Sequence, residues 1–230
     1  MLCDFYALAR TGTAPIVEPA MPSLREVCSH PPVVVLDAAS ALVQVGVLQP
    51  DGTGRWATST DEAGVALFRC IANLSIDPGE VAGWVYCEGP GSVLGIRTVA
   101  MALRTWGVMR RRPIFGYSSL AVVAHALGQP GVGVIADARR ETWHHFEVGR
   151  GLQRVPAAQL SGDLVMPENF RHWSTLPGNI TLVPYSLTDL LPRIWDVDLL
   201  RATTEPDAFL HEEPNYVTWT PQIHRAPVKP

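Results

Sequence analysis

Three carboxylates sit where phosphoryl chemistry would want them. Asp37 closes the apolar run Val33-Val34-Val35-Leu36, Glu62 follows Ser59-Thr60-Asp61, and Glu88 follows the run Val81–Cys87. On a first strand, first helix and fourth strand, such acids can hold two divalent ions about 4 Å apart and cleave a phosphodiester. Each also has a plain structural role: strand end, helix capping box, turn entry. The histidines assemble nothing further. His144-His145 on a strand point to opposite faces, and His125, His172, His211 and His224 stand alone. There is no Gly-x-Ser-x-Gly elbow, and Ser118-Ser119 has no recognisable His and Asp companions. The four cysteines, Cys3, Cys28, Cys70 and Cys87, lack metal-ligand spacing and read as buried or incidental thiols.

The elements that must position those acids centre on residues 81–106. Val81–Cys87 reads as a buried strand and Gly89-Pro90-Gly91 as a tight turn. Ile96, Val99, Ala100, Leu103 and Trp106 then recur as on one helical face, with Ser92 as N-cap. Gly89, Gly91, Ser92 and Gly95 form an anion-ready turn, because free backbone N–H groups meet the positive helix end there. The spacing Gly-x-Gly-x-x-x-Gly fits neither the Rossmann fingerprint nor the P-loop, and Ile96 stands where a P-loop needs lysine.

In chain order, residues 1–31 read as an extension with a short helical piece near Ser23–Cys28, and ordered structure is expected from Pro32. Val33–Asp37, Leu42–Leu48 and Arg55–Thr58 are three strands, and Ser59-Thr60-Asp61-Glu62 is a capping box opening a helix. On that helix Gly64, Leu67, Phe68, Ile71 and Leu74 share a face. The first half is thus β-β-β-α-β-α. Pro113–Tyr117 is a strand and Ser118–Leu127 a helix. Gly131–Ala136 then leads into Asp137-Ala138, so that V-I-A-D-A echoes V-V-L-D-A. If the second half repeats the first, Thr142–Val148 and Leu152–Val155 are its next strands. Residues 156–180 show no clear period. Ile180–Val183 reads as a strand, Ser186–Trp195 as a helix and Leu199–Glu205 as another.

Composition narrows the function classes. The chain has 230 residues, is 47% hydrophobic and 17% charged, and carries a formal net charge of −4. No apolar run is long enough for a bilayer helix, and the first thirty residues lack a signal peptide's pattern, so a cytoplasmic protein is expected. The charge disfavours a self-sufficient nucleic-acid binder. Arg110-Arg111-Arg112, the one basic cluster, reads as a solvated helix end.

Gly89-Pro90-Gly91-Ser92-Val93-Leu94-Gly95-Ile96-Arg97 resembles the G-P-G-S-F-T-G-L-R signature of the TsaB family, also called YeaZ. Asp137-Ala138-Arg139-Arg140 resembles its D-A-R motif, Val33–Ser40 its opening strand with D-T-S, and Pro214-Asn215-Tyr216 its late P-x-Y. Asp37, Asp137 and Arg139 are thus the family-motif positions. The resemblance implies an α/β ASKHA (actin-like) fold of two ribonuclease-H-like lobes, here residues 32–112 and 113–220, between the extension and a tail at 221–230. It implies a non-catalytic partner of TsaD in making N6-threonylcarbamoyladenosine at tRNA position 37, with no cofactor of its own. TsaE and the adenylate made by TsaC belong to the wider pathway, and tRNA is contacted only indirectly. TsaB-like proteins pair with themselves or with TsaD through the two first-lobe helices. That nominates Leu67, Phe68 and Ile71 on one and Arg97, Met101 and Arg104 on the other. The chain departs from the pattern at Val93-Leu94 and Ala38, which lose hydroxyls, and around Asp61–Gly64, which lacks the family's His-Ser. The other readings are a metal-dependent nuclease using Asp37, Glu62 and Glu88, and an ASKHA phosphotransferase. The second has only Gly178-Asn179 as an adenosine-type turn.

Overall fold

The computed structural model describes residues 21–209 apart from Asn179; Cys3, His211, the Pro214-Asn215-Tyr216 motif, His224 and the 221–230 tail lie outside the described residues. Two sheets carry the fold. The first contains β1 (Val33–Asp37), β2 (Val43–Leu48), β3 (Gly54–Ser59), β4 (Gly83–Gly89), β5 (Ile114–Ser118) and a short late strand, β11 (Arg201–Thr203). Its order is β11-β5-β4-β1-β2-β3. The second contains β6 (Gly133–Asp137), β7 (Thr142–Glu147), β8 (Gly151–Pro156), β9 (Leu164–Pro167) and β10 (Ile180–Val183), in the order β10-β9-β6-β7-β8.

Both sheets share one plan. Each begins with an antiparallel three-strand meander, and each then adds two parallel strands beside the first. That is the ribonuclease-H-like order, 3-2-1-4-5, used twice, so the ASKHA architecture follows from topology alone. The V-V-L-D-A and V-I-A-D-A runs occupy the same first strand of the two sheets. The second lobe has shed the crossover helices. Only the 3-10 turn Ala157–Gln159 stands between β8 and β9.

Two helices, α2 (Ala63–Asn73) and α3 (Val93–Met109), cover one face of the first sheet. Ala66, Leu67, Cys70 and Ile71 of α2 and Val99, Ala102 and Leu103 of α3 close a core over Val34, Leu36, Val45 and Trp84. The opposite face packs on α4 (Ser119–Leu127), which is buried on nearly all sides because it also meets β6 and β7 of the second sheet. An apolar helix with so few polar positions must lie between two layers. The two lobes therefore share a single core.

Several expectations need correction. The lobe boundary does not fall at 112/113, because β5 pairs with β4 and belongs to the first sheet. Order does not begin at Pro32. Ser23 and Glu26 form a reciprocal capping box on α1 (Leu24–Val27), and Leu24 and Cys28 are buried in the shared core. Arg25 N–H donates to Trp195 O at 3.0 Å, and Leu200 N–H to Pro22 O at 3.1 Å. The box expected at Ser59–Glu62 does not form. Ser59 is paired in β3, its hydroxyl bonds Asp61, and Glu62 makes no side-chain cap. The expected helix at 199–205 is β11, and the one at 186–195 is α5 (Leu187–Leu190) followed by a 3-10 turn with Pro192 near its start. Arg110 and Arg112 donate to the carbonyl of Gly79, so the basic cluster braces a turn. No helix among the described residues is long and apolar enough to cross a membrane.

Candidate functional site

Each lobe ends its first strand in an aspartate, and the two acids are built alike. Asp37 Oδ1 accepts the amide of Ala39 at 2.9 Å, and Asp137 Oδ1 accepts that of Arg139 at 2.5 Å, the same bond two residues on. Their second oxygens differ. Asp37 Oδ2 accepts the hydroxyls of Tyr117 (2.6 Å) and Tyr185 (2.7 Å), whereas Asp137 Oδ2 accepts the amides of Trp173 (2.5 Å) and Ser174 (2.7 Å). Tyr185 arrives from beyond β10 in the second lobe, so the Asp37 cluster bolts the lobes together. Gln44 of β2 adds two bonds beside it, accepting Leu187 N–H at 2.9 Å and donating to Tyr185 O at 3.1 Å.

Burial pushes the Asp37 carboxyl above the usual range even though Tyr117, Tyr185, the Ala39 amide and the Cys87 thiol all face it. It also drives the Tyr117 and Tyr185 hydroxyls and the Cys87 thiol far upward. Asp137 moves the other way. Partial burial pulls it up, but the amides of Ser174, Trp173 and Arg139 prevail and hold it below the ordinary value. The sign of its linkage follows. A depressed carboxyl stabilises the fold above its unfolded pKa and loses that effect as pH falls through the folded one. Asp137→Asn should therefore destabilise the chain fully near neutral pH, with the penalty shrinking below about pH 4. Urea unfolding across that range measures it, and a penalty that grows on acidification would reverse the assignment.

The three acids of the nuclease reading do not converge. Asp37 is fully buried with its oxygens occupied, and it shares the Cys87 side of the sheet, so Glu88 projects from the opposite face. Glu88 is taken by Arg201, whose Nη2 lies 2.5 Å from Oε2. Glu62 is exposed at the start of α2. Among the described residues no three His, Cys, Asp or Glu side chains group as a metal site. Gly178 is exposed, with open space where a Cβ would stand, and its turn partner Asn179 lies outside the described residues.

The glycine turn has a packing explanation. A Cβ on Gly91 would lie 2.4 Å from Ala39 O, and one on Gly95 would lie 2.1 Å from Ala38 O. Ser92 N–H donates to Ala39 O at 2.7 Å, and Ser92 Oγ caps α3 by accepting Gly95 N–H at 3.4 Å. The turn is pressed onto the end of β1. Two of the amides offered for an anion are thereby engaged. Gly95→Ala should cost about 1–3 kcal/mol or more, because the obstructing atom is backbone. Gly64→Ala, on α2 with open space around it, should instead stabilise by about 0.5–1 kcal/mol. Thermal denaturation of the pair tests this, and equal effects would refute it.

The helix faces separate the nominated partner residues. Leu67 is 0% exposed and Ile71 is buried beside it, so both are core and cannot meet a partner. Arg97 and Arg104 are about half exposed and already partnered. Both pair with Asp207, and Arg104 Nε also donates to Pro206 O at 2.9 Å, strapping residues 204–209 against α3. Phe68 (53% exposed) and Met101 (58%) do face solvent. Val108 (88%), on the same outward stripe as Met101 by helical spacing, is exposed as that spacing predicts, whereas sequence reasoning missed Leu94 (77%) and Val65 on α2. Thr98 and Thr105 lie in the same stripe, and each returns its hydroxyl to the helix, bonding Leu94 O and Met101 O. Their methyl groups are left outward. Leu94, Met101 and Val108 thus form an apolar stripe on the outer face of α3, bordered by Arg97 and Arg104 with their Asp207 partner, and hydrophobic residues at helical spacing beyond the core stripe were the available signal.

The Asp137 loop is the other singular place. Arg139, Arg140 and Glu141 have φ of 65°, 52° and 57°, three successive side-chain-bearing residues in the left-handed region. The Arg139 guanidinium carbon sits 4.4 Å from the centroid of the Trp173 ring.

The chain is similar to YeaZ from Pseudomonas aeruginosa. The likeness has a TM-score of 0.49 at 16% identity and covers 70% of this chain and 88% of that one. An uncharacterized protein with similarity to peptidase YeaZ, from the same organism, gives 0.48 at 16%, covering 69% and 88%. No protein-family model and no curated protein sequence matches the chain.

Proposed function

We propose that the chain is a TsaB-like, non-catalytic scaffold that binds a TsaD homologue in threonylcarbamoylation of tRNA adenosine 37. The exposed apolar residues on the outer face of α2 and α3 carry the reading. Phe68, Leu94, Met101 and Val108 stand exposed there over a helix pair whose inner faces are already satisfied. The Gly89–Arg97 and Asp137–Arg140 motifs supply the name of the partner. The fate of the lobe-end acids supports the absence of chemistry, since Asp37 and Asp137 spend their oxygens on tyrosine hydroxyls and backbone amides. Self-association through the same face is the second mode open to this surface, in a cytoplasmic setting with TsaE and the TsaC product supplied by the wider pathway.

Co-expression with the TsaD homologue of the same host, followed by size-exclusion chromatography, tests the proposal. A stable complex is expected at micromolar concentration, with background ATP hydrolysis by the isolated chain. No complex, or useful nucleotide turnover by the chain alone, would overturn it.

A further inference from the structure

Trp173 is 63% exposed, an unusual place for the largest apolar side chain. It is also held there deliberately. Asp137 Oδ2 accepts the amides of both Trp173 and Ser174, and Phe170 is buried just before them, so residues 170–174 are clamped against the 137–141 loop. The loop is clamped from its other side. Arg154 donates to Thr142 Oγ1 at 2.9 Å and to Ala138 O at 3.2 Å, Thr142 N–H to Arg139 O, and Ala157 N–H to Glu141 O. Three consecutive left-handed residues cost roughly 1–2 kcal/mol apiece, so the surrounding bonds must over-determine them. The outcome of that strain is the placement of Arg139 over the Trp173 ring.

The chain neighbours of the stacked pair are cationic. Arg140 and Arg171 are exposed and form no ion pair among the described residues, and His172 is exposed between Arg171 and Trp173. The acids on the two segments are Glu141 and Glu168, both exposed, and Asp137, whose oxygens accept three amides. A tryptophan backed by a guanidinium, on segments that carry further arginines with no ion pair among the described residues, suits a planar, anionic ligand. Unpaired bases stack on aromatic and guanidinium planes, and arginines take the phosphates on either side.

We infer that the Arg139–Trp173 stack is a binding site for an unpaired nucleobase of single-stranded RNA, with Arg140 and Arg171 holding the adjoining phosphates. The choice of RNA rests on the proposed function; the stacking chemistry does not. The site gives the second lobe a direct contact with the nucleic acid, on a part of the chain that shares no residue with the α2–α3 face. The net charge of −4 keeps the affinity modest and strongly salt-dependent.

Fluorescence anisotropy of a labelled single-stranded RNA of mixed sequence, with the full chain at low salt, tests this. The wild type should bind in the micromolar range and bind the same sequence as a duplex more weakly. Trp173→Ala should weaken binding about tenfold or more, Trp173→Phe should restore most of it, and Arg139→Ala should give an intermediate loss. Each variant is first checked for an unchanged melting temperature and for complex formation with the TsaD homologue, which should persist. No wild-type binding up to about 100 µM, the weak end of non-specific affinity, would overturn the inference. So would a Trp173→Ala variant that binds RNA normally. If that variant instead loses the TsaD homologue, the stack is a protein contact and the RNA site is refuted while the scaffold reading stands.

Discussion

Asp37→Ala should destabilise the fold by about 3–5 kcal/mol, the range for removing one member of a buried charged network. The variant leaves the Tyr117 and Tyr185 hydroxyls buried without their acceptor, each costing about 1–3 kcal/mol, and frees the amide of Ala39. It also unbolts the lobes, since Tyr185 and its neighbour Leu187 belong to the segment that reaches β2 through Gln44. For a chain of this size the melting temperature should fall by roughly 10 °C, at about 2–4 °C per kcal/mol. Tyr185→Phe removes one bond and keeps the ring, so it should cost only about 1–2 kcal/mol. Urea or thermal unfolding reads both. A stable Asp37→Ala variant that also lost an enzymatic activity would instead return Asp37 to catalysis.

Met101→Glu combined with Leu94→Glu should weaken the complex with a TsaD homologue by roughly thirtyfold or more, the loss expected when an interface hot spot receives a charge. Because both side chains are exposed, folding stability should change by no more than about 0.5 kcal/mol per substitution. Leu67→Ala gives the opposite pattern, costing about 2–5 kcal/mol of stability as a core cavity while removing no partner contact. Arg104→Glu is a poor probe of the interface, because it places a carboxylate against Asp207 and releases the strap. Titration calorimetry or analytical ultracentrifugation of the three variants separates the surface from the core. A charged α3 face that still binds the homologue normally would sink the assignment.

Signals carried by one element were legible in the sequence. Ser92 and Ser118 cap the helices they precede, and the apolar stripe from Ile96 to Trp106 lies inward. The V-V-L-D-A and V-I-A-D-A runs mark the repeat. Signals that depend on the flanking chain misled. The motif S-x-x-E occurs at Ser23–Glu26 and at Ser59–Glu62, yet only the first caps a helix, because pairing with Val43 in β2 claims Ser59 for a strand. Long-range partners left no local trace. Tyr117 and Tyr185 meet Asp37 across 80 and 148 positions, and no period points from one to the other. Periodicity also cannot say which helix stripe a later segment will meet, so nothing local marks Arg97 and Arg104 as partners of Asp207.

The position of β11 bears on how the protein is made. The first sheet receives its last strand from residues 201–203, after the whole second lobe has been threaded out. At about 5–20 residues per second, the roughly 80 residues separating β5 from β11 take several seconds to emerge from the ribosome. During that interval the outer backbone groups of Ile114, Phe115 and Gly116 face water with no neighbour, an invitation to stray pairing. The nascent first sheet thus stays open to misassembly for as long as the second lobe takes to emerge, and the closing stitch arrives only after it.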